Sequence, residues 1–326
     1  MNLSIDKPDV LDFEFVQSTD EEIAVLNSLG EEYKKYSEMS NQDRAFLNSL
    51  ILRKKPRKIL EIGVSKGASS IIILNAIKDE EDSHLYSLDY NTEHYTIKGK
   101  KTGFYVDNFP ELKKNWTLKT GGLSLNYLDE IGGDIDFCFI DTVHLNPGEI
   151  LDVLQVLPYL TKDATIVFHD TNLHLKSTSL ASASVWYFTN NLLMSALKGK
   201  KMIPSDNPYP NFKGMCSNIG AVEVNEQTFK NVYELFNLLT IKCSYMPSKE
   251  DLAQLTEFFA RFYNEYYLRY FKDIVKSHIE YRELNKKISF LEQIFSVKNQ
   301  YKHKVVRILG IKVKFKNSKK MKEYAE

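Results

Sequence analysis

The chain has 326 residues, with 43 Lys and Arg against 43 Asp and Glu, 43% apolar residues and 26% charged ones. This is the composition of a soluble globular protein and excludes a disordered, collagen-like or disulfide-scaffold chain. At this length a sizeable core is expected, in one large domain with additions or in two domains.

Three cysteines, Cys138, Cys216 and Cys243, lie far apart with no Cys-x-x-Cys pair. Neither a disulfide framework nor a zinc knuckle is indicated, and a reducing cytoplasm is the expected location. The first thirty residues carry acids throughout, and no segment approaches 18 consecutive apolar residues. No signal peptide and no transmembrane segment are therefore expected.

Residues 20–52 repeat apolar positions near the 3.6-residue period, at Ala24, Leu26, Leu29, Tyr33, Phe46, Leu47, Leu50 and Ile51, which predicts helices closed by Pro56. Strand and helix then alternate. KILEIGV (58–64) is followed by a helical run from Ser69 to Ile77, then HLYSLDY (84–90), WTLKTG (116–121) and IDFCFIDT (135–142). A helical run from Pro147 to Leu160 and ATIVFHDT (164–171) complete the series. Such alternation predicts an α/β fold: a doubly wound, Rossmann-like, mostly parallel sheet of seven strands, with N-terminal helices and a C-terminal helical extension.

The pattern weakens through Pro204, Pro208 and Pro210 and returns as a late strand at SNIGAVEV (217–224). The expected organisation is an N-terminal helical segment (1–56), a ligand-binding domain (57–225) with a substrate-facing insertion or lid (172–215), a C-terminal helical region (226–298) and a basic tail (299–326). In the helical region Tyr281, Leu284, Ile288, Leu291 and Phe295 follow a 3,4,3,4 spacing. That fits a helix packed on its own domain or a homodimer formed through this region. The aromatic cluster from Phe258 to Phe271 reads as packing against the domain or a partner subunit.

From Gln293 to Lys322 there are ten Lys or Arg and no Asp or Glu. Apolar residues and lysines alternate at Ile311-Lys312-Val313-Lys314-Phe315-Lys316, which is strand-like. The tail reads as a solvated end or as a peripheral contact with anionic lipid or nucleic acid. The body of the protein is not basic, which argues against nucleic acid as the main partner.

The loop Glu61-Ile62-Gly63-Val64-Ser65-Lys66-Gly67 follows an apolar strand and opens a helix. Its glycines fall where the chain must turn sharply and approach a ligand. Neither Gly-x-Gly-x-x-Gly nor Gly-x-x-x-x-Gly-Lys-Ser/Thr occurs here, which lowers the case for NAD and ATP chemistry. Asp89 closes the second strand, 22 residues beyond Gly67, where an acid can accept hydrogen bonds from both hydroxyls of a ribose.

Loop and acid together resemble the class I S-adenosylmethionine-dependent methyltransferases over about residues 57–225. The resemblance implies S-adenosylmethionine as cofactor. Gly63 and Gly67 would let the backbone pass its amino-acid part, Glu61 would help orient it, Asp89 would hold the ribose, and Thr120 and Gly121 would lie near the adenine.

Ligand crevices of open α/β sheets lie beyond the carboxyl ends of the strands. There the sequence places Asp141 and His144 after the fourth strand of the series, and His169 and Asp170 after the fifth. Methylating an aliphatic hydroxyl needs a base, an acidifying metal, or both. Asp141, His169 and Asp170 have the chemistry to hold a divalent metal (Mg, Mn or Fe), with His144 left as proton acceptor. Alternatively, His169 pairs with Asp141 or caps the strand end without metal. His174 reads as a loop residue.

The Asp-x-x-His spacing, followed by a strand ending in a ligand-Asp pair, looks like a bacterial methyltransferase subfamily that includes macrolide-sugar O-methyltransferases and cephalosporin-hydroxylase-like proteins. Carried over, Asp141 and Asp170 would be metal ligands and His144 the general base, while His169 departs from the carboxylate of the metal-binding members. The tail is similar to short C-terminal segments of bacterial enzymes of surface-polysaccharide biosynthesis. The expected function is thus a cytoplasmic O-methyltransferase acting on a sugar-containing small molecule, such as a nucleotide-linked or lipid-linked glycan precursor. The alternatives are a metal-dependent hydroxylase-like enzyme on the same fold or a nucleic-acid-binding methyltransferase.

Overall fold

The computed structural model describes residues 13–173, 188–205, 217–300, 303–308 and 311–316. It comprises two compact units, Met1–Leu268 and Arg269–Glu326.

The first unit is built on an eight-stranded sheet of β1 (Phe13–Val16), β2 (Lys58–Ile62), β3 (His84–Asp89), β4 (Trp116–Thr120), β5 (Ile135–Ile140), β6 (Leu160–His169), β7 (Lys200–Pro204) and β8 (Ile219–Glu223), in the spatial order β1-β7-β8-β6-β5-β2-β3-β4. The strands from β6 to β4 in this order run parallel; β8 is antiparallel to both β6 and β7, and β1 is parallel to β7. This is the expected doubly wound sheet, with eight strands in place of seven.

The extra strand is β1. Its Phe-Glu-Phe-Val alternation suits a half-buried edge, and it lies in register with β7 from Phe13 opposite Lys201 to Val16 opposite Pro204. The segment 1–56 is therefore not helical throughout. Strand β7 is likewise part of the sheet although it lies within 172–215, and of that segment residues 174–187 and 206–216, with His174, lie outside the described residues.

Both sheet faces are covered. Ile59, Phe137, Phe139 and Val167 pack into one core with helices α1 (Asp20–Asn27), α2 (Asn41–Lys54) and α3 (Ala68–Ala76). The alternate positions Leu60, Cys138, Ile140, Ile166 and Phe168 are buried too, as the two-residue period of a strand requires when both faces are covered. Each such side chain contributes about 1.5–3 kcal/mol by leaving water.

Helix α2 is started by Ser40, whose hydroxyl accepts from the Asp43 amide while Asp43 accepts from the Ser40 amide. This reciprocal cap satisfies two amides that the helix leaves unpaired. Every residue of α3 is buried, which explains its run Ile71-Ile72-Ile73-Leu74 without an exposed polar face.

The opposite layer contains α4 (Leu125–Ile131), α5 (Gly148–Val156), α6 (Thr189–Ala196), α7 (Glu226–Lys230), α8 (Val232–Leu238) and α9 (Lys249–Phe262). Phe236 of α8 lies edge-on to Phe259 of α9 at 5.4 Å, and Tyr263 donates to the Leu154 carbonyl of α5 at 2.6 Å. The helical region expected over 226–298 is interrupted after α9. Tyr263 is extended (φ −118°, ψ 155°), and Asn264 restarts the helix by accepting from the Tyr267 amide.

The restarted helix, α10 (Glu265–Ile294), continues into the second unit, which also holds the antiparallel meander β9 (Phe295–Gln300), β10 (His303–Ile308) and β11 (Ile311–Lys316). The strand-like alternation of the tail is thus realised as strands. Among the described residues no helix is long and apolar enough to cross a membrane.

Candidate active site

The chain order reverses between β2 and β5, neighbours in the sheet, from which β3 and β4 extend to one side and β6 to the other. Such a switch point opens a crevice beyond the strand ends. Gly63 and Asp141 stand on its two sides: the Gly63 amide donates to Leu88 of β3, and the Asp141 amide donates to Ile62 of β2.

The loop after β2 is held from the β3 side. Gly63 and Gly67 have φ of +90° and +93°, and Ser65 between them also lies in the left-handed region at +51°. A Cβ on Gly67 would fall 2.7 Å from Val106 Cγ2. Asp89 Oδ2 accepts from the amides of Val64 (2.9 Å) and Ser65 (3.1 Å), and Oδ1 accepts from Asn91 (2.8 Å). The Gly121 amide donates to the Asp89 carbonyl, and Tyr127 donates to the Thr120 carbonyl at 2.7 Å. Gly63, Asp89, Thr120 and Gly121 therefore form one rim across the ends of β2, β3 and β4.

Glu61 is not on that rim. It is fully buried and accepts from the hydroxyls of Ser69, Ser70 and Ser87, each at 2.6 Å. Burial pushes its carboxyl up to about 7 against the opposing effect of those serines, with Asp141 adding to the rise. Glu61 thus ties β2 to the first turn of α3 and to β3.

Of the aromatic connection between β3 and β4, Tyr105 is core and stacks on Tyr36 at 3.8 Å. Phe104 and Trp116 pack against the core while partly buried. His94 does something the sequence did not reveal. It is buried, its Nδ1 accepts from the amides of Thr96 and Ile97 (3.1 Å each), and its Nε2 lies 3.2 Å from Ser65 Oγ. Since Nδ1 accepts, the proton of the neutral ring is on Nε2 and props Ser65 from behind. Burial, with Lys66 nearby, holds the His94 pKa below the usual value.

Across the switch point the acids and histidines converge. His144 Nε2 lies 3.6 Å from Asp141 Oδ1 and 3.3 Å from Asp170 Oδ2. His144 and Asp170 both have positive φ, +56° and +55°, which costs a non-glycine residue about 1–2 kcal/mol and singles out both turns. One ligand atom from each of Asp141, His144 and Asp170 lies within 4.8 Å of the other two.

His169 stands apart from that trio, with both ring nitrogens turned to carboxylates. Nδ1 is 3.2 Å from Asp141 Oδ2 and 3.6 Å from Asp170 Oδ2, and Nε2 is 3.5 Å from Asp43 Oδ2. Burial opposes its charge, but Asp170, Asp141 and Asp43 raise the imidazole well above its ordinary pKa. For Asp141, burial is outweighed by His169 and His144, which hold the carboxyl below the usual range. His169 thus sits among three carboxylates, Asp141 and Asp170 on its Nδ1 side and Asp43, which reaches Nε2 from α2.

Glu149, on the first turn of α5, is fully buried. Its Oε1 accepts the His144 amide and lies 3.5 Å from His144 Nδ1. Burial pushes this carboxyl up to about 8, and Asp152 and Asp141 add to the rise. Asp152, which accepts from Thr142 Oγ1 at 3.0 Å, is pushed by burial up to about 7. Two acids that face the histidines of this region, Asp43 and Glu149, escaped the sequence reading. Asp43 was detectable only as part of the Ser40-to-Asp43 cap, and Glu149 lay inside an expected helix.

Residues 60–171 match the family model described as "Methyltransferase domain". No curated protein matches the chain. Among solved structures, the chain is similar to a putative O-methyltransferase from Klebsiella pneumoniae (20% identity, 62% of this chain and 90% of that one, TM-score 0.41). Another is an O-methyltransferase from Bacillus cereus in complex with S-adenosylhomocysteine (19%, 63% and 91%, TM-score 0.40). A third is the O-methyltransferase TomG from Streptomyces achromogenes, involved in tomaymycin synthesis, in complex with S-adenosylmethionine (14%, 64% and 92%, TM-score 0.41). The matched residues 60–171 contain the glycine loop, Asp89, Asp141, His144, His169 and Asp170, so the crevice at the switch point lies in the part of the chain that matches a methyltransferase domain.

Proposed function

We propose that the chain is an O-methyltransferase that uses S-adenosylmethionine as methyl donor and a hydroxyl of a sugar-containing small molecule or surface-polysaccharide precursor as acceptor. The observation that carries this reading is the adjacency of the two halves of the crevice: Gly63 of the glycine loop abuts the Asp141 backbone, three residues before His144.

The donor supplies a methyl group already activated on a sulfonium. Gly63 and Gly67 leave no side chain between the loop and a ligand, and Asp89, beyond the three amides it accepts, retains acceptor capacity for ribose hydroxyls. Thr120 and Gly121 border the same rim and would lie near the adenine. The remaining work is alignment and proton removal. As the acceptor oxygen forms its new bond to carbon and the sulfur–carbon bond breaks, the hydroxyl proton passes to His144 Nε2, and the imidazolium so formed is stabilised by Asp141 and Asp170. The sugar class of the acceptor rests on the sequence resemblance around Asp141, His144 and Asp170.

The same trio fits a divalent cation, with two carboxylates and one imidazole within reach of a common centre. Such a cation would acidify the acceptor hydroxyl. Asp141, Asp170 and His144 would hold it, while His169 keeps its place as the buried counter-charge to Asp141.

Calorimetric titration of the purified protein with S-adenosylhomocysteine, before and after EDTA, tests both parts. Micromolar binding is expected, and a dependence on chelation would add the cation to the site. No binding in either condition would remove the donor and leave Gly63 and Gly67 as a structural turn.

A further inference from the structure

The two edges of the His144 ring differ in burial. Nε2 faces Asp141 Oδ1 and Asp170 Oδ2 at 3.6 and 3.3 Å, both carboxylates on partly exposed side chains. Nδ1 is sealed from solvent and has no hydrogen-bond partner among the described residues. The group facing Nδ1 is the Oε1 of Glu149, 3.5 Å away, and the same oxygen accepts the backbone amide of His144.

A neutral imidazole carries one proton, and its place decides what the ring can do. With the proton on Nε2, the Nδ1 lone pair would face the lone pairs of Glu149 in a buried site, and Nε2 could accept nothing from a substrate. With the proton on Nδ1, the sealed edge becomes a donor toward Oε1 and the Nε2 edge carries the lone pair. The 3.5 Å separation is at the outer limit of a hydrogen bond, as is common for such contacts before a substrate is bound. Oε1 acts as an acceptor toward Nδ1 when Glu149 is a carboxylate, and equally when its proton sits on Oε2, an atom buried without a partner.

We propose that Glu149 is a positioning residue for His144: by accepting from both the His144 amide and Nδ1–H, it fixes the left-handed turn at His144 and the Nδ1–H tautomer, leaving Nε2 free to receive a proton. This rests on the reading of His144 as proton acceptor, and it adds the residue that prepares the ring for that task. Partners of this kind are how proteins set which ring nitrogen carries the proton.

The test is long-range ¹H–¹⁵N correlation spectroscopy of the histidine rings in the full chain, with His144 assigned by the signals lost in His144→Gln. In the wild type the neutral His144 ring is expected to be protonated on Nδ1. Glu149→Gln keeps a carbonyl oxygen toward Nδ1 and should preserve that tautomer, whereas Glu149→Leu should shift the dominant signal to Nε2–H. An Nε2–H ring in the wild type, or an unchanged tautomer in a folded Glu149→Leu variant, overturns the assignment. The wild-type spectrum decides the matter even where the leucine variant does not fold. Titration of the same samples with S-adenosylhomocysteine keeps the two readings separable: absent binding removes the donor, while the tautomer still reports on Glu149.

Discussion

A Cβ placed on Gly63 would lie 1.9 Å from the carbonyl oxygen of Asp141, so the glycine loop and the strand that presents the acid meet backbone to backbone. No side chain fits between them, and the φ of +90° at Gly63 adds a second obstacle. Gly63→Ala is expected to destabilise the protein by about 3 kcal/mol or more and to abolish binding of S-adenosylhomocysteine. Gly99 is the control. Its φ is +74°, but nothing lies within 4 Å of its would-be Cβ, so Gly99→Ala should cost only about 1 kcal/mol. Equal urea midpoints for the two variants would contradict the close approach.

Glu61 makes stability depend on pH. Its folded pKa of about 7 stands above the ordinary 4.5, so between these values the folded state binds more protons than the unfolded one, and stability falls as pH rises. The loss attributable to this group is about 3 kcal/mol across that interval. His169, also raised, loses its contribution in the same direction above its ordinary value of 6.5. Asp141 acts the other way and loses its contribution only as pH falls below the carboxylate range. In Glu61→Gln, urea unfolding measured from pH 5 to 7 should show a flatter slope than in the wild type.

The contrast between Glu61 and Asp89 shows how far the sequence could be read. Both are acids at strand positions near a glycine loop, and period and spacing located them correctly along β2 and β3. Only the fold shows that Glu61 turns toward three serines of its own core while Asp89 turns toward the loop. The central strands were legible because hydrophobic runs and turn glycines are local signals. Strand β1 was not, because a four-residue strand at a sheet edge depends on β7, 188 residues away in sequence from Phe13 to its partner Lys201. Asp43 was invisible for the same reason. Its helix was predicted, but its approach to His169 exists only once α2 has packed on the sheet.

His94 gives a further test of the loop. Its Nε2–H reaches Ser65 Oγ at 3.2 Å while Nδ1 is consumed by two amides, so the ring braces the loop from outside the crevice. Losing one such hydrogen bond is worth about 1 kcal/mol. His94→Ala should therefore weaken S-adenosylhomocysteine binding by roughly five- to tenfold, read by calorimetry. An unchanged affinity would mean that Ser65 keeps its conformation from Asp89 alone.

The trio of Asp141, His144 and Asp170 admits two roles for its histidine, and one variant separates them. If His144 takes the proton, His144→Ala should lower methyl transfer to an acceptor active with the wild type by about 10² to 10⁴-fold, with S-adenosylhomocysteine affinity within about twofold. Free imidazole in the buffer should then restore part of the rate, because the deleted side chain leaves space for the same base on the crevice side. If His144 instead helps hold a cation, imidazole would do little, and raising the concentration of Mg²⁺ or Mn²⁺ would recover the rate by mass action on a weakened site. His169→Gln supplies the counter-check. It leaves Asp43 and Asp141 buried beside a neutral group, so its principal effect should be a stability loss of about 3 kcal/mol or more, measured by urea unfolding, whichever role His144 has.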